Sequence, residues 1–172
     1  MKIRYIQEFF IFILLILLQV HLLNRINVFG YATPVLYIYF LLKLPVGRNP
    51  FYVIISGFLI GLIIDVFLNT PGMNAAATTI VATLRSPILN LFYDRDIFDE
   101  FVPGMNTGTS QFVKLTVFIV LLHLTLLFFI ESFTLFNAGS TIIRILSSTI
   151  ISILILISLD GLIFRKKSSE QS

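Results

Sequence analysis

Long runs of apolar residues, separated by short polar or turn-forming stretches, extend along the whole chain. A helix needs about 20 predominantly apolar residues to cross a bilayer, so this pattern predicts membrane-spanning helices. Six are predicted, over residues 6–23, 32–44, 51–68, 72–92, 112–135 and 141–163. The second run is short, so we expect it to include flanking residues or to be tilted, partial or re-entrant. The chain is predicted to be one all-α membrane domain over residues 1–172, a six-transmembrane-helix bundle.

The third predicted span carries small and polar residues at four-residue steps, which places them on one helix face. They are Gly57, Gly61, Asp65 and Asn69. Two glycines four residues apart let another helix backbone come close within lipid. A carboxylate that faced hydrocarbon would cost about 2.5–3.5 kcal/mol even on the lenient insertion scale, so Asp65 must face protein or water. The stripe is therefore predicted to serve helix packing or partner binding.

The connection after this stripe continues through Thr70, Pro71 and Gly72. It predicts a tight turn in which Thr70 is the N-cap and Pro71 the first residue of the fourth helix. Asp65 would lie about one turn from this junction, facing the amide-rich start of that helix. Two interpretations stay open, because Asp65 either braces the hairpin or has a partner-binding or gating role.

Polar residues also occur inside the later spans. Arg85 lies roughly 10 Å from Asp65 in depth, by the helical rise, so we expect it to bind a loop carbonyl or a headgroup phosphate instead. His123 is predicted to be a neutral histidine, hydrogen-bonded between helices and not part of a proton relay. The sixth span carries a weakly polar stripe at three- or four-residue steps, which indicates helix packing: Thr141, Arg144, Ser148 and Ser152.

Composition agrees with the hydrophobic pattern, because 57% of residues are hydrophobic and 12% are charged. Charged residues form about 25% of soluble domains, so the chain is an integral membrane protein. The net charge of +3 is small and no basic stripe follows a phosphate backbone, which excludes nucleic acid and leaves membrane lipid as the charged partner.

Basic residues predict the orientation of the spans. With a cytoplasmic N-terminus, only Arg25 and Arg144 fall outside. The residues that fall inside are Lys2, Arg4, Lys43, Arg48, Arg95, Lys114, Arg165, Lys166 and Lys167. Both termini of this multi-pass membrane protein are thus predicted to be cytoplasmic.

The sequence has few residues of the kinds that bind metal ions or act in catalysis. Cysteine is absent and histidine occurs twice, so neither a metal site nor another cofactor is predicted. No HExxH, GxSxG, Walker or CxxC motif occurs, and the embedded carboxylates are not paired for acid–base work. We therefore predict no catalytic residues and no enzyme activity.

One stretch carries a family resemblance, Gly61-Leu-x-x-Asp65-x-Phe67-x-x-Thr70-Pro71-Gly72-Met73-x-Ala75-Ala76-Ala77. It is followed by Leu84-Arg85-x-Pro87 and by His123 with Glu131. With the length, the six predicted spans and the basic ends, these residues resemble the rod shape-determining protein MreD family in its Bacteroidetes-like form. The chain departs from that form at Asn74, where histidine is usual, and at Ser86.

The resemblance implies a non-enzymatic scaffold of the cell-wall elongation complex, located in the bacterial inner membrane. Such a protein binds the bitopic protein MreC and is linked through it to MreB, RodA and a class B penicillin-binding protein. The resemblance also implies a fold similar to the substrate-binding subunits of energy-coupling-factor transporters. On this basis the stripe around Gly61 and the fourth helix form either the packed core or the groove for MreC's transmembrane helix.

Two other functions stay open. The first is a substrate-binding membrane subunit of a small-molecule, vitamin-type transporter, which the implied fold favours. The first span has no alanine or glycine for docking a coupling protein, and buried polar anchors are few, so the scaffold is favoured. The second is an unrelated factor that assists assembly of a membrane complex.

Overall fold

The computed structural model describes residues 2–23, 32–93, 101–132 and 138–169, and these ranges are helical apart from their connections. A 3-10 turn, Met105–Thr107, precedes the fifth helix. The α-helices are α1 (Lys2–His21), α2 (Tyr39–Lys43), α3 (Pro50–Leu68), α4 (Met73–Phe92), α5 (Thr109–Ser132) and α6 (Ala138–Ser169).

Four of the described helices are long and apolar enough to cross a membrane. They are α3, α4, α5 and the part of α6 from Gly139 to Ile163, and α1 contributes a shorter apolar stretch, Tyr5–His21. Large apolar side chains cover their outer surfaces, as shown by Phe51 and Val66, which are 76% and 73% exposed. The prediction of an all-α membrane-embedded protein is therefore confirmed. Residues 133–135 of the predicted fifth span lie outside the described residues.

The predicted helix over residues 32–44 is wrong over most of its length. Residues 33–36 form no helix, and α2 contains only five residues. Side chains of other helices bind this backbone: Gln19 donates to Pro34 O and accepts from Leu36 N, at 3.1 and 2.7 Å. Every residue from Val35 to Leu42 is buried. Non-helical backbone is tolerated at membrane depth only when protein covers it, and here the bundle surrounds the segment.

This central segment, residues 32–44, runs parallel to α6. Ser148 and Ser152 accept hydrogen bonds from Thr33 N and Val35 N, at 3.0 and 2.9 Å. Further along, Lys43 binds Asp160 of α6. Ser148 and Asp160 are about 18 Å apart along the α6 axis, and extended backbone advances about 3.3 Å per residue, so a short segment covers this depth.

The N-terminal half of α1 and the C-terminal half of α6 lie at the same end of the bundle. Glu8 of α1 pairs with Arg48, just before α3. Val46 N donates to Phe101 O at 3.0 Å, and Met105 N donates to Asp160 of α6 at 2.8 Å. We call this the terminal end. The α3–α4 turn lies at the opposite end, so successive long segments alternate in direction.

Candidate functional site

The two glycines of the predicted stripe lie where α3 packs on α4. A Cβ atom on Gly61 would lie 2.6 Å from both Ala75 Cα and Asn74 O. On Gly57 it would lie 2.8 Å from Ala82 Cβ. Real Cβ atoms essentially never approach heavy atoms this closely, so the helices depend on these glycines for their separation. Because α4 covers the stripe, the geometry supports its helix-packing interpretation.

The turn between α3 and α4 requires unusual backbone angles. Asn69 adopts φ 55° and Gly72 adopts φ 77°, a left-handed region that asparagine tolerates and glycine favours. Helix α4 begins at Met73, with Gly72 at its N-cap position. The predicted N-cap at Thr70, with Pro71 as the first helical residue, is therefore wrong, because the turn is two residues longer.

Gly72 has no side chain to cap the N-terminus of α4, and Asp65 of α3 provides that cap instead. Its carboxylate is buried and accepts four hydrogen bonds. Oδ1 accepts from Thr70 Oγ1 at 2.5 Å, Asn74 N at 3.0 Å and Asn74 Nδ2 at 2.9 Å, and Oδ2 accepts from Ala75 N at 2.8 Å. The first backbone N–H groups of a helix lack internal partners and attract negative charge. Both oxygens of Asp65 therefore bind donors of the turn and of α4, three on Oδ1 and one on Oδ2.

The polar network continues from Asn74 to the central segment and α5. The hydroxyl of Tyr37 donates to Asn74 Oδ1 at 2.7 Å and lies 2.8 Å from His123 Nε2. Asn74 Nδ2 donates to Asp65, so the amide oxygen faces Tyr37 and takes its hydroxyl hydrogen. His123 must then carry its hydrogen on Nε2, an assignment made from the network. Its Nδ1 atom is buried and has no hydrogen-bond partner in the part of the chain that the structure describes.

This network brings together Asp65, Thr70 and His123 from the predicted site and adds two residues that sequence reasoning missed. Asn74 occupies the first turn of α4, where a side chain can reach an incoming carboxylate. Tyr37 lies in the central segment just before α2. A helix over residues 32–44 would give a different direction for its side chain, so the incorrect prediction did not place it near Asn74. The polar positions therefore form a brace between three parts of the bundle.

Arg85 is buried on α4 and binds backbone at the end of α2. Its Nε donates to Leu41 O at 2.6 Å, Nη2 donates to Leu44 O, and Nη1 lies 3.4 Å from Pro45 O. These carbonyls include the unsatisfied, partly negative C-terminus of a helix, which favours a cation. The expectation that Arg85 binds a loop carbonyl, and not Asp65, is confirmed.

Replacing Arg85 with methionine should destabilise the protein by roughly 3 kcal/mol, because buried carbonyls at the end of α2 lose a charged donor. Arg85→Lys should be intermediate, since an ammonium keeps the charge but cannot reproduce the guanidinium fork. Thermal unfolding of the purified variants in detergent measures both. An Arg85→Met protein that unfolds at the wild-type temperature would show that these bonds contribute no stability.

A second polar cluster, also missed from the sequence, lies at the terminal end. Asp160 is buried, and its Oδ1 accepts from Tyr39 OH and Lys43 Nζ, both at 2.7 Å. Its Oδ2 accepts from Met105 N, and Lys43 also donates to Pro103 O at 2.8 Å. Asp160 lies within a predicted span, and this embedded carboxylate was the signal that could have identified the cluster.

A neighbouring ion pair completes the polar lining of this end. Arg48 bonds to Glu8, which also accepts from Tyr52 OH at 3.0 Å. Burial lowers the pKa of the Arg48 guanidinium, but the hydrogen bond and the charge of Glu8 raise it more, so the pKa lies above its ordinary value. The pair ties the N-terminal half of α1 to the start of α3.

Within the described ranges, no group of three or more histidine, cysteine, aspartate or glutamate side chains could hold a metal ion. The buried carboxylates Asp65 and Asp160 instead bind donors supplied by the protein itself. Their arrangement holds helices and loops together.

Comparison of the chain with protein-family models, with curated proteins and with solved structures found no match. The similarity to the MreD family, carried mainly by residues 61–77, stays a proposal from the sequence.

Proposed function

We propose that this protein is a non-enzymatic scaffold of the MreD kind, which binds an MreC-like bitopic protein in the cell-wall elongation complex. The observation that best supports this is the fourfold coordination of Asp65. The residues that carry the family resemblance form one closed hairpin, whose buried carboxylate binds four donors of the turn and of α4. A motif used in this way builds a rigid support, because the carboxylate holds the protein's own turn and helix together.

The proposed topology has six passages and both termini in the cytoplasm. The four long helices, α1 and the central segment would each cross the inner membrane. Three observations support this count: the alternating direction of these segments, the shared end of α1 and α6, and the excess of basic residues predicted inside. The likeness to substrate-binding subunits of energy-coupling-factor transporters belongs to the same proposal.

The partner's transmembrane helix would bind a lipid-facing surface of the bundle. The glycine stripe is covered by α4, so a partner reaching it would have to separate the hairpin. The partner would then connect the scaffold with MreB, RodA and a class B penicillin-binding protein. This arrangement replaces the alternative in which the stripe itself is the partner's groove.

The competing candidate is a vitamin-type transporter subunit, and one observation favours it. A cavity of about 400 Å³ lies between α1 and α6, within the range of small-molecule sites. Its walls are mainly aliphatic, however, and the carboxylate and ammonium of Asp160 and Lys43 bind each other. A water-soluble ligand would therefore lie mainly against apolar surface.

Affinity purification from native membranes tests the proposal. The tagged protein is extracted in mild detergent and all accompanying proteins are identified by mass spectrometry, with an unrelated multi-pass protein at equal level as the control. We expect specific recovery of a bitopic MreC-like protein together with wall synthases. Recovery of an ATPase pair with a coupling subunit would instead establish transport, and recovery of neither set would contradict the scaffold.

A further inference from the structure

The cavity between α1 and α6 has an apolar wall and a polar end. Along α1 the wall is formed by Ile11, Leu14, Leu15 and Leu18. At the terminal end the lining changes to charged and amide side chains. These are Gln7, Glu8, Lys43, Asn106 and Asp160. A ligand that matches this lining is an amphiphile with its polar group at the terminal end.

The length of the cavity matches one leaflet of a bilayer. From Gln7 to Leu18 the α1 axis advances about 16 Å at 1.5 Å per residue. This is about half of the roughly 30 Å hydrocarbon core. The cavity provides about 400 Å³, within the range of small-molecule sites, and this elongated shape suits an acyl chain.

The polar end offers both signs of charge. Among the described residues, Lys43 Nζ donates to Asp160 and to Pro103 O, so one of its three hydrogens is left for a phosphate oxygen. Asn106 and Gln7 are exposed amides that can also donate. Glu8 lines the same end, and although its carboxylate already binds Arg48 and Tyr52, each of its oxygens has a second acceptor position for an ammonium group. Phosphate and ammonium together are the charges of a zwitterionic phospholipid.

We propose that this cavity binds one zwitterionic phospholipid from the leaflet at the terminal end. An acyl chain lies along Leu14 and Leu18, the phosphate binds Lys43, and the ammonium group faces Glu8. The inference requires only that the protein is embedded in a membrane, and it does not depend on a role in cell-wall synthesis.

Two exposed leucines on α1 provide a matched test. Leu14 lines the cavity and is 55% exposed, whereas Leu17 is 50% exposed and is not part of the lining. Leu14→Trp would fill the cavity, and Ile11→Trp is a second filling variant. Leu17→Trp adds the same side chain outside it.

The variants are purified in detergent, stripped of lipid and titrated separately with phosphatidylethanolamine and phosphatidylglycerol, and bound lipid is counted by native mass spectrometry. Gel filtration confirms that each variant is folded. We expect one saturable phosphatidylethanolamine in wild type and Leu17→Trp, and at least fivefold weaker binding in the filling variants. Equal binding by all variants, no saturable site in wild type, or preference for phosphatidylglycerol would overturn the proposal.

Discussion

Gly61→Ala is expected to destabilise the protein by roughly 3 kcal/mol, at the upper end of the usual cost of overpacking a core. The added methyl would meet the α4 backbone at Ala75 and Asn74, each 2.6 Å away, and would also contact Thr78 Oγ1. Backbone cannot rotate aside as a flexible side chain can, so the two helices must separate. Thermal unfolding in detergent, with yield from the membrane as a second readout, measures the effect.

Substitutions of two other glycines serve as controls for the loss of stability at Gly61. Gly57→Ala should cost less, about 2 kcal/mol, because its closest contact, Ala82 Cβ at 2.8 Å, is longer than the contacts of Gly61, although that Cβ atom is also fixed to the backbone. Gly161→Ala in α6 should be neutral or stabilising, since its nearest neighbour is Met105 Sδ at 3.6 Å and alanine favours helix. If Gly61→Ala were as stable as Gly161→Ala, the close packing of α3 on α4 would be wrong.

Asp65→Asn is expected to cost roughly 3–5 kcal/mol, because the substitution removes the charge from a site that contains only donors. The new amide would direct its own N–H groups toward Thr70 Oγ1 or the N-terminus of α4. The loss should appear as a lower unfolding temperature and faster exchange of the amide hydrogens of Asn74 and Ala75.

Two controls separate this effect from the loss of an ordinary carboxylate or hydroxyl. Thr70→Val removes one of the four donors and should cost about 1 kcal/mol. Glu131→Gln breaks a half-exposed pair with Arg144, at 2.9 Å, and should change stability little. An Asp65→Asn protein as stable as Glu131→Gln would contradict a capping role.

The long helices could be predicted from the sequence because each is marked by a run of apolar residues that are consecutive in the chain. The runs at 51–68 and 72–92 coincide with α3 and α4 to within one residue at each end. Gly57, Gly61 and Asp65 could be assigned to one face for the same reason, since helical spacing alone determines it. The role of Arg85 followed from depth, which the helical rise provides.

The central segment could not be predicted, because its conformation depends on distant residues. The apolar run from Val35 to Leu42 predicts a helix unless Gln19, Ser148 and Ser152 are known to bind the backbone of residues 33–36. These partners are separated from it by 15 to 117 positions along the chain. The link from Asn74 through Tyr37 to His123 was hidden for the same reason.

In the proposed function, the Gly61–Asp65 motif builds the α3–α4 hairpin and the proposed bitopic partner binds elsewhere. The most direct test is the amount of partner recovered per folded, tagged protein for Gly61→Ala and wild type, with folded protein measured by gel filtration. We predict reduced yield and stability of the variant but an unchanged amount of partner per folded molecule. Wild-type stability together with loss of the partner would contradict the account and make the stripe the binding site.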